Sequence, residues 1–276
     1  MDKILKNIRH RTELVLGSQA LGLLANSRVI IFGLGGVGSW CAESLVRSGL
    51  MNLTIVDSDI ICATNINRQL QATSESVGRA KVEELAARLR LINPSATVIA
   101  VNRAFEDGSW QSFGLENFDY VIDAIDSLRN KILLADKAQA AGATFFASMG
   151  AAAKIDPSRI RVDTLEKTQV CPLAKHVRLK LRELGIPTSF LCVYSYERPR
   201  EPLVASFCGT DACTCTADRA AWANDTGLPA IDWCKKKRQV NGSLVHITAV
   251  FGFMLAGLVV QDVCRRTEQA AHAARI

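Results

Sequence analysis

None of the nine cysteines in this 276-residue chain stands in a CxxC pair, which excludes the usual paired-thiolate zinc site. Cys208, Cys213 and Cys215 cluster in a Gly-, Thr- and Asp-rich stretch, but with C-x4-C-x-C spacing, and zinc is not expected there. The odd cysteine count, behind a charged start (MDKILKNIRHR) without a signal-peptide pattern, argues against a disulfide framework and for a reducing cytoplasm. No internal repeat is present, so a stacked-repeat architecture is excluded. Neither sign of charge is in large excess: 33 Lys and Arg against 27 Asp and Glu leave +6, too little to select nucleic acid over a protein partner. One long apolar run, residues 244–260 (LVHITAVFGFMLAGLVV), has 17 residues and includes His246 and Thr248. That is the short edge for crossing a bilayer, so a buried core or dimer helix is expected and membrane association stays open. Asn241, Gly242 and Ser243 just ahead of it offer a turn and a cap.

What is present begins with RVIIFGLGGVGSW, residues 28–40. An apolar strand runs into Gly33, Gly35 and Gly38 and then into a helix. The first glycine permits a tight turn, the second lets backbone approach a phosphate, and the third lets helix and strand pack closely. The amides and positive dipole end of the helix then face the anion. By itself this fingerprint fits a nicotinamide or flavin enzyme best.

The following segments shift that reading. A second strand, 53–56, ends in Asp57, 19 positions after Gly38 and placed for ribose hydroxyls. Residues 58–69, SDIICATNINRQ, then deliver Asn65, Asn67, Arg68 and Gln69 beyond the strand end. Lys81 opens a helical run over 79–91 in which Val82, Leu85, Leu89 and Ile92 keep core-facing spacing. A guanidinium fork and an ammonium converging on one glycine turn suit a triphosphate; either alone reads better as a solvated surface charge. A third strand over 120–125 carries VIDAID. Asp123 lies within it and reads as structural, whereas Asp126 sits at the carboxyl edge, where open α/β sheets bind ligands. Asp126 there suits magnesium, directly or through water, or a helix cap, and Ser127 is able to cap the next helix.

Together GLGGVGSW, the Asp57 strand end, TNINRQ, Lys81, INP at 92–94, VIDAIDS and IDPSRI at 155–160 resemble the adenylating domain of the ubiquitin-activating-enzyme superfamily. GGVGSW with NxNRQ, VIDAID and IDP is most similar to its tRNA threonylcarbamoyladenosine dehydratase branch. The similarity runs from about residue 16 to 184 and returns in AVFGFMLA, 249–256. The resemblance implies that Gly33, Gly35, Gly36 and Gly38 line the phosphate loop of ATP and that Asp57 takes the ribose. It implies that Asn65, Arg68, Gln69 and Lys81 hold the triphosphate and that Asp126 places magnesium. It implies a homodimer in which an N-terminal arginine of one subunit reaches its partner's ATP, with Arg11 the nearest candidate and Arg9 close by. The chemistry implied is adenylation of the threonyl carboxylate on tRNA threonylcarbamoyladenosine, then ring closure with loss of water. The neighbouring branch, which activates the C-terminal Gly-Gly of a ubiquitin-like or sulfur-carrier protein, is the alternative.

Basic residues gather in two places. Lys175, Arg178 and Arg182 lie opposite a Leu173, Val177, Leu181, Leu184 stripe on a helix over 172–184, and Lys235 to Arg238 form a run. Both would suit a tRNA backbone, and both read equally well as solvated faces. Cys234 is the best candidate for a thiol that could accept an acyl group or sulfur; the plain reading is a free thiol in a loop. The hydrophobic fraction of 49% and the strand–helix alternation to about residue 165 predict one α/β domain over 1–276. It is Rossmann-like, with a mostly parallel sheet and flanking helices. A nucleotide-binding core spans about 16–165, extended by a C-terminal substrate or dimer segment over about 166–276. Residues 195–241, the least regular, are expected to form loops over the site.

Overall fold

The computed structural model describes residues 2–206, 208 and 241–274, with backbone only for 2–6. Cys213, Cys215, Cys234 and the Lys235 to Arg238 run lie outside the described residues. Among the described residues seven strands form one sheet: β1 (Arg28–Phe32), β2 (Asn52–Val56), β3 (Thr97–Val101), β4 (Tyr120–Asp123), β5 (Thr144–Ser148), β6 (Ile160–Thr164) and β7 (Leu191–Ser195). Their order is β3-β2-β1-β4-β5-β7-β6, and every pairing is parallel except β6 with β7. This is the Rossmann-like, mostly parallel sheet that the motifs imply. Strand order reverses between β1 and β4, and the crevice outside the carboxyl ends of those two strands is where such sheets bind ligands.

Strand periodicity explains the layers. Along β1, Val29 and Ile31 face one side and Ile30 and Phe32 the other, and all four are buried. The first side carries α1 (Asp2–Asn26), α2 (Gly38–Ser48), α3 (Lys81–Ile92) and α6 (Val245–Ala273), whose Leu24, Leu45, Leu85 and Phe251 join that core. The second carries α4 (Leu128–Ala140) and α5 (Pro172–Glu183), with Leu134 and Val177 inside. There Phe32 meets Phe105 and Phe113 edge-on at 4.8 and 5.2 Å. The sheet continues past the region of regular alternation, because β7 inserts between β5 and the edge strand β6.

The 17-residue apolar run lies within α6. That helix is long and apolar enough to cross a membrane, yet 61% of its most apolar window is buried inside the protein. Gly252 explains its close seat on α2, since a Cβ there would stand 2.5 Å from Val37 O and 2.9 Å from Cys41 N. Farther along, buried Asp262 accepts a 2.9 Å hydrogen bond from the Tyr120 hydroxyl and pairs with Arg266 at 2.7 Å. Helix α1 is broken at Gly17 (φ 75, ψ 163), and Leu14 and Val15 just before the break are 73% and 83% exposed.

Several local expectations need correction. β4 ends at Asp123, so residues 124–127 form a loop rather than strand. Ser127 occupies the N-cap of α4 without a side-chain capping bond. The N-cap of α6 is Leu244, not the Asn-Gly-Ser segment, whose backbone carbonyls are taken elsewhere: Ser243 O by Asn67 Nδ2 at 2.8 Å and Gly242 O by Ala153 N at 2.8 Å. In α5 the buried stripe is Ala174, Val177 and Leu181, while Leu184 is the exposed C-cap. Arg178 is no surface charge, because its Nη1 donates to Leu165 O, Thr168 O and Thr168 Oγ1 at 2.6 to 3.1 Å.

Candidate nucleotide site

The turn after β1 is built by sterics. Gly33 has φ +90 and lies so near the loop after β4 that a Cβ would meet Ala124 O at 2.6 Å. A Cβ on Gly38 would stand 1.8 Å from Gly33 O, closer than any side chain tolerates. One on Gly36 would press Thr248 Oγ1 at 2.9 Å. Gly35 differs: its nearest neighbour would be Gln69 Nε2, at 3.9 Å. The fold itself requires three of these glycines, whereas Gly35, just ahead of α2, has room for a side chain.

Asp57 anchors this turn from the end of β2. Its Oδ2 accepts from Leu34 N at 2.6 Å and its Oδ1 from Asp59 N at 2.8 Å. Lys81, at the first position of α3, places Nζ 2.7 Å from Asp59 Oδ2 and 3.8 Å from Asp57 Oδ1, with only 7% of its side chain exposed. Burial lowers the Lys81 pKa, but the fields of Asp57, Asp59 and Asp126 outweigh it and hold the ammonium above its ordinary value. Burial raises the Asp57 carboxyl, opposed by Lys81 and reinforced by Asp59. Buried Gln71 closes the ring by donating from Nε2 to Leu34 O at 2.8 Å.

Arg68 arrives on the loop after a 3₁₀ turn, Ala63–Asn65. Asn65 Oδ1 accepts from Cys62 N at 3.0 Å, which fixes the turn. Arg68 Nη1 donates to Thr64 O at 2.8 Å and Asn67 Oδ1 at 2.9 Å, and its carbonyl accepts from Trp40 Nε1 at 3.0 Å. Burial lowers its pKa from the ordinary value, while Cys62, Cys208 and Asp126 act in the opposite direction. The guanidinium therefore sits within electrostatic reach of Asp126, as Lys81 does. Gln69 is buried, and its Oε1 has no hydrogen-bond partner among the described residues; the same holds for Gln71 Oε1.

Asp126 is exposed on the loop between β4 and α4. Asp123, the structural carboxylate, is fully buried: its Oδ1 accepts from Ile125 N at 2.9 Å and its Oδ2 from Lys131 Nζ at 2.6 Å. Burial raises the Asp123 pKa, with Lys131 opposing. Among the described residues no three His, Cys, Asp or Glu side chains gather as a metal cage. A single carboxylate beside a phosphate cradle is nonetheless the donor set magnesium uses with nucleotides, because it keeps several waters. Asp126 fits that requirement.

The family model described as the ThiF family matches residues 9–274. The chain belongs to the ThiF family. It is 35% identical over 261 residues to the tRNA threonylcarbamoyladenosine dehydratase of Bacillus subtilis, covering 94% of this chain and 95% of that protein. With the protein of the same name in Escherichia coli it shares 39% over 254 residues, 88% of each. The crystal structure of the E. coli dehydratase in complex with ATP matches with a TM-score of 0.79 at 30% identity, over 96% of both chains.

Within this ThiF-family chain the structure brings Gly33, Gly35, Gly36, Gly38, Asp57, Asn65, Arg68, Gln69, Lys81 and Asp126 to the carboxyl edge of the sheet around β1. It does not bring Arg11 there. That residue is exposed on α1, before the Gly17 break. Asp59, Gln71 and Lys131 escaped sequence reasoning. Asp59 carried a local signal, since it lies two positions after the Asp57 strand end. The reach of Gln71 and Lys131 depends on tertiary placement.

Proposed function

We propose that this chain is an ATP-dependent tRNA threonylcarbamoyladenosine dehydratase. The observation that carries the reading is that Arg68, Lys81 and Asp126 share one field over a glycine turn whose only open glycine is Gly35. A triphosphate carries more charge than a dinucleotide's pyrophosphate and makes fuller use of that pair of cations. Likeness to dehydratases along nearly their full length supports this branch over carrier-protein activation.

The roles follow. Gly35, Gly36 and the α2 amides take phosphate oxygens, with Gly33 and Gly38 shaping the turn. Asp57, held by the Leu34 amide, takes ribose. Arg68 and Lys81, supported by Asn65 and Gln69, hold the triphosphate and offset charge as a substrate carboxylate oxygen attacks the α-phosphorus and pyrophosphate leaves. Asp126 would hold magnesium, which would supply further positive charge to the phosphates. A group of the same modification then attacks the acyl-adenylate, closes the ring and expels AMP, which carries away the oxygen of the lost water. Because nucleophile and electrophile are tethered, effective molarity supplies much of the rate and no protein thiol is required.

The partners proposed are tRNA bearing the modification and a second copy of the chain. The exposed Arg11 reaches the partner's nucleotide, and the apolar Leu14 and Val15 beside it are covered in the dimer. A tRNA substrate and unpaired thiols suit the cytoplasm. The test is AMP release from ATP, dependent on modified tRNA. Arg68→Ala should lower it about 10²-fold or more; near wild-type turnover in that variant would discard the site assignment.

A further inference from the structure

The ion pair between Asp123 and Lys131 is costly for stability alone. Both side chains are within 1% of complete burial, and a well-packed apolar pair of similar size is often as stable or more so. Its hydrogen bonds point elsewhere. Lys131 Nζ joins Asp123 Oδ2 at 2.6 Å to Ser148 O at 2.8 Å, tying the carboxyl ends of β4 and β5 to the first turn of α4. Asp123 Oδ1 holds the Ile125 amide, and the Lys131 amide donates to Ser127 O at 2.9 Å. The Ala124 amide donates to Phe32 O at 2.8 Å. The short loop is thus pinned on both sides of Asp126, its one exposed carboxylate.

We propose that Lys131 is a positioning residue which, through Asp123, aims Asp126 at the nucleotide-bound metal. This rests on the ATP-dependent reading above. A group that fixes the backbone beside a metal ligand sets where that ligand points, and loss of such outer support typically weakens metal affinity by about tenfold to a hundredfold. The glycine turn, Arg68 and Lys81 are untouched by it, so metal-free nucleotide affinity stays near wild type.

The test is ATP affinity by calorimetry, with and without magnesium, for wild type, Lys131→Met, Asp126→Asn and the double variant Asp123→Asn with Lys131→Met. The ratio of the two affinities separates positioning from a structural role, which would lower both equally. Lys131→Met should keep metal-free affinity within about threefold of wild type and lose about tenfold or more of the magnesium enhancement, as Asp126→Asn does. The double variant leaves no buried charge, stays folded if the single variant does not, and should show the same loss. An unchanged enhancement in either folded Lys131 variant, or equal losses with and without metal, overturns the proposal. If wild type binds ATP and Asp126→Asn keeps the full enhancement, the positioning role falls while ATP dependence stands; wild type that binds no ATP removes both.

Discussion

Gly35 and Gly38 belong to one motif but answer to different masters. Gly38 has no room for a methyl group, because Gly33 O would lie 1.8 Å away, whereas Gly35 has nothing within 3.9 Å. Gly38→Ala should therefore destabilise the fold by about 3 kcal/mol or more, through overpacking against backbone that cannot give way. Gly35→Ala should leave the melting temperature nearly unchanged and weaken ATP binding, and thermal denaturation with and without ATP reads both. Lys81 makes a second case. Its raised pKa means that the stability it contributes is fully present at pH 7 and is lost only above the ordinary lysine value. Lys81→Met leaves Asp57 facing Asp59, which pushes the Asp57 carboxyl, already raised by burial, further up. A carboxyl raised in the folded state stabilises below its unfolded value, and that stability is lost as pH rises. The variant's deficit, about 3 kcal/mol at pH 7, should shrink toward pH 4; a deficit independent of pH would show that the two aspartates do not feel Lys81. The glycines, Asp57 and Asp126 were legible as candidates because each follows an apolar strand run, Arg68 because of the TNINRQ segment and Lys81 because it heads a helical run. Gln71 and Lys131 were not, because their partners Leu34 and Ser148 are fixed by packing of distant segments.

At the scale of elements, the tightest seam is between α2 and α6. A methyl group on Gly252 would meet Val37 O at 2.5 Å and Cys41 N at 2.9 Å, backbone at the very start of the helix that follows the glycine turn. Gly252→Ala should cost about 1–3 kcal/mol and also weaken ATP binding, because the displaced element carries the glycine turn; a loss of stability with unchanged ATP affinity would separate seam from site. The apolar run in α6 announced a buried helix in the sequence. Its capping residue did not: Leu244 takes that place, and the Gly242 and Ser243 carbonyls bond Ala153 and Asn67. Strands β1, β2 and β4 were readable from apolar runs before motif residues, with β4 two residues shorter than the pattern suggested. The antiparallel β6–β7 ribbon was not, because only pairing in space sets its place beside β5. Arg178 shows the same limit: spacing placed it on a basic stripe, and its three bonds to the 165–168 turn show it to be a brace.

For the whole molecule, charge is a weak guide and geometry a strong one. A net +6 and two basic clusters did not by themselves choose a partner. With Arg178 engaged, Lys175 and Arg182 remain exposed on α5. If they touch tRNA, reversing both should lower affinity and reduce the slope of log affinity against log salt by about 2; an unchanged slope assigns them to solvent. In the reaction proposed, the protein spends ATP to remove one water from a tRNA modification. The most direct test is to incubate it with ATP, magnesium and tRNA carrying threonylcarbamoyladenosine, then weigh the modified nucleoside under conditions mild enough to spare a labile ring. Loss of one water with an equal amount of AMP is expected. An unchanged nucleoside mass, with pyrophosphate exchange appearing only when a Gly-Gly-tailed carrier protein is added, would contradict it.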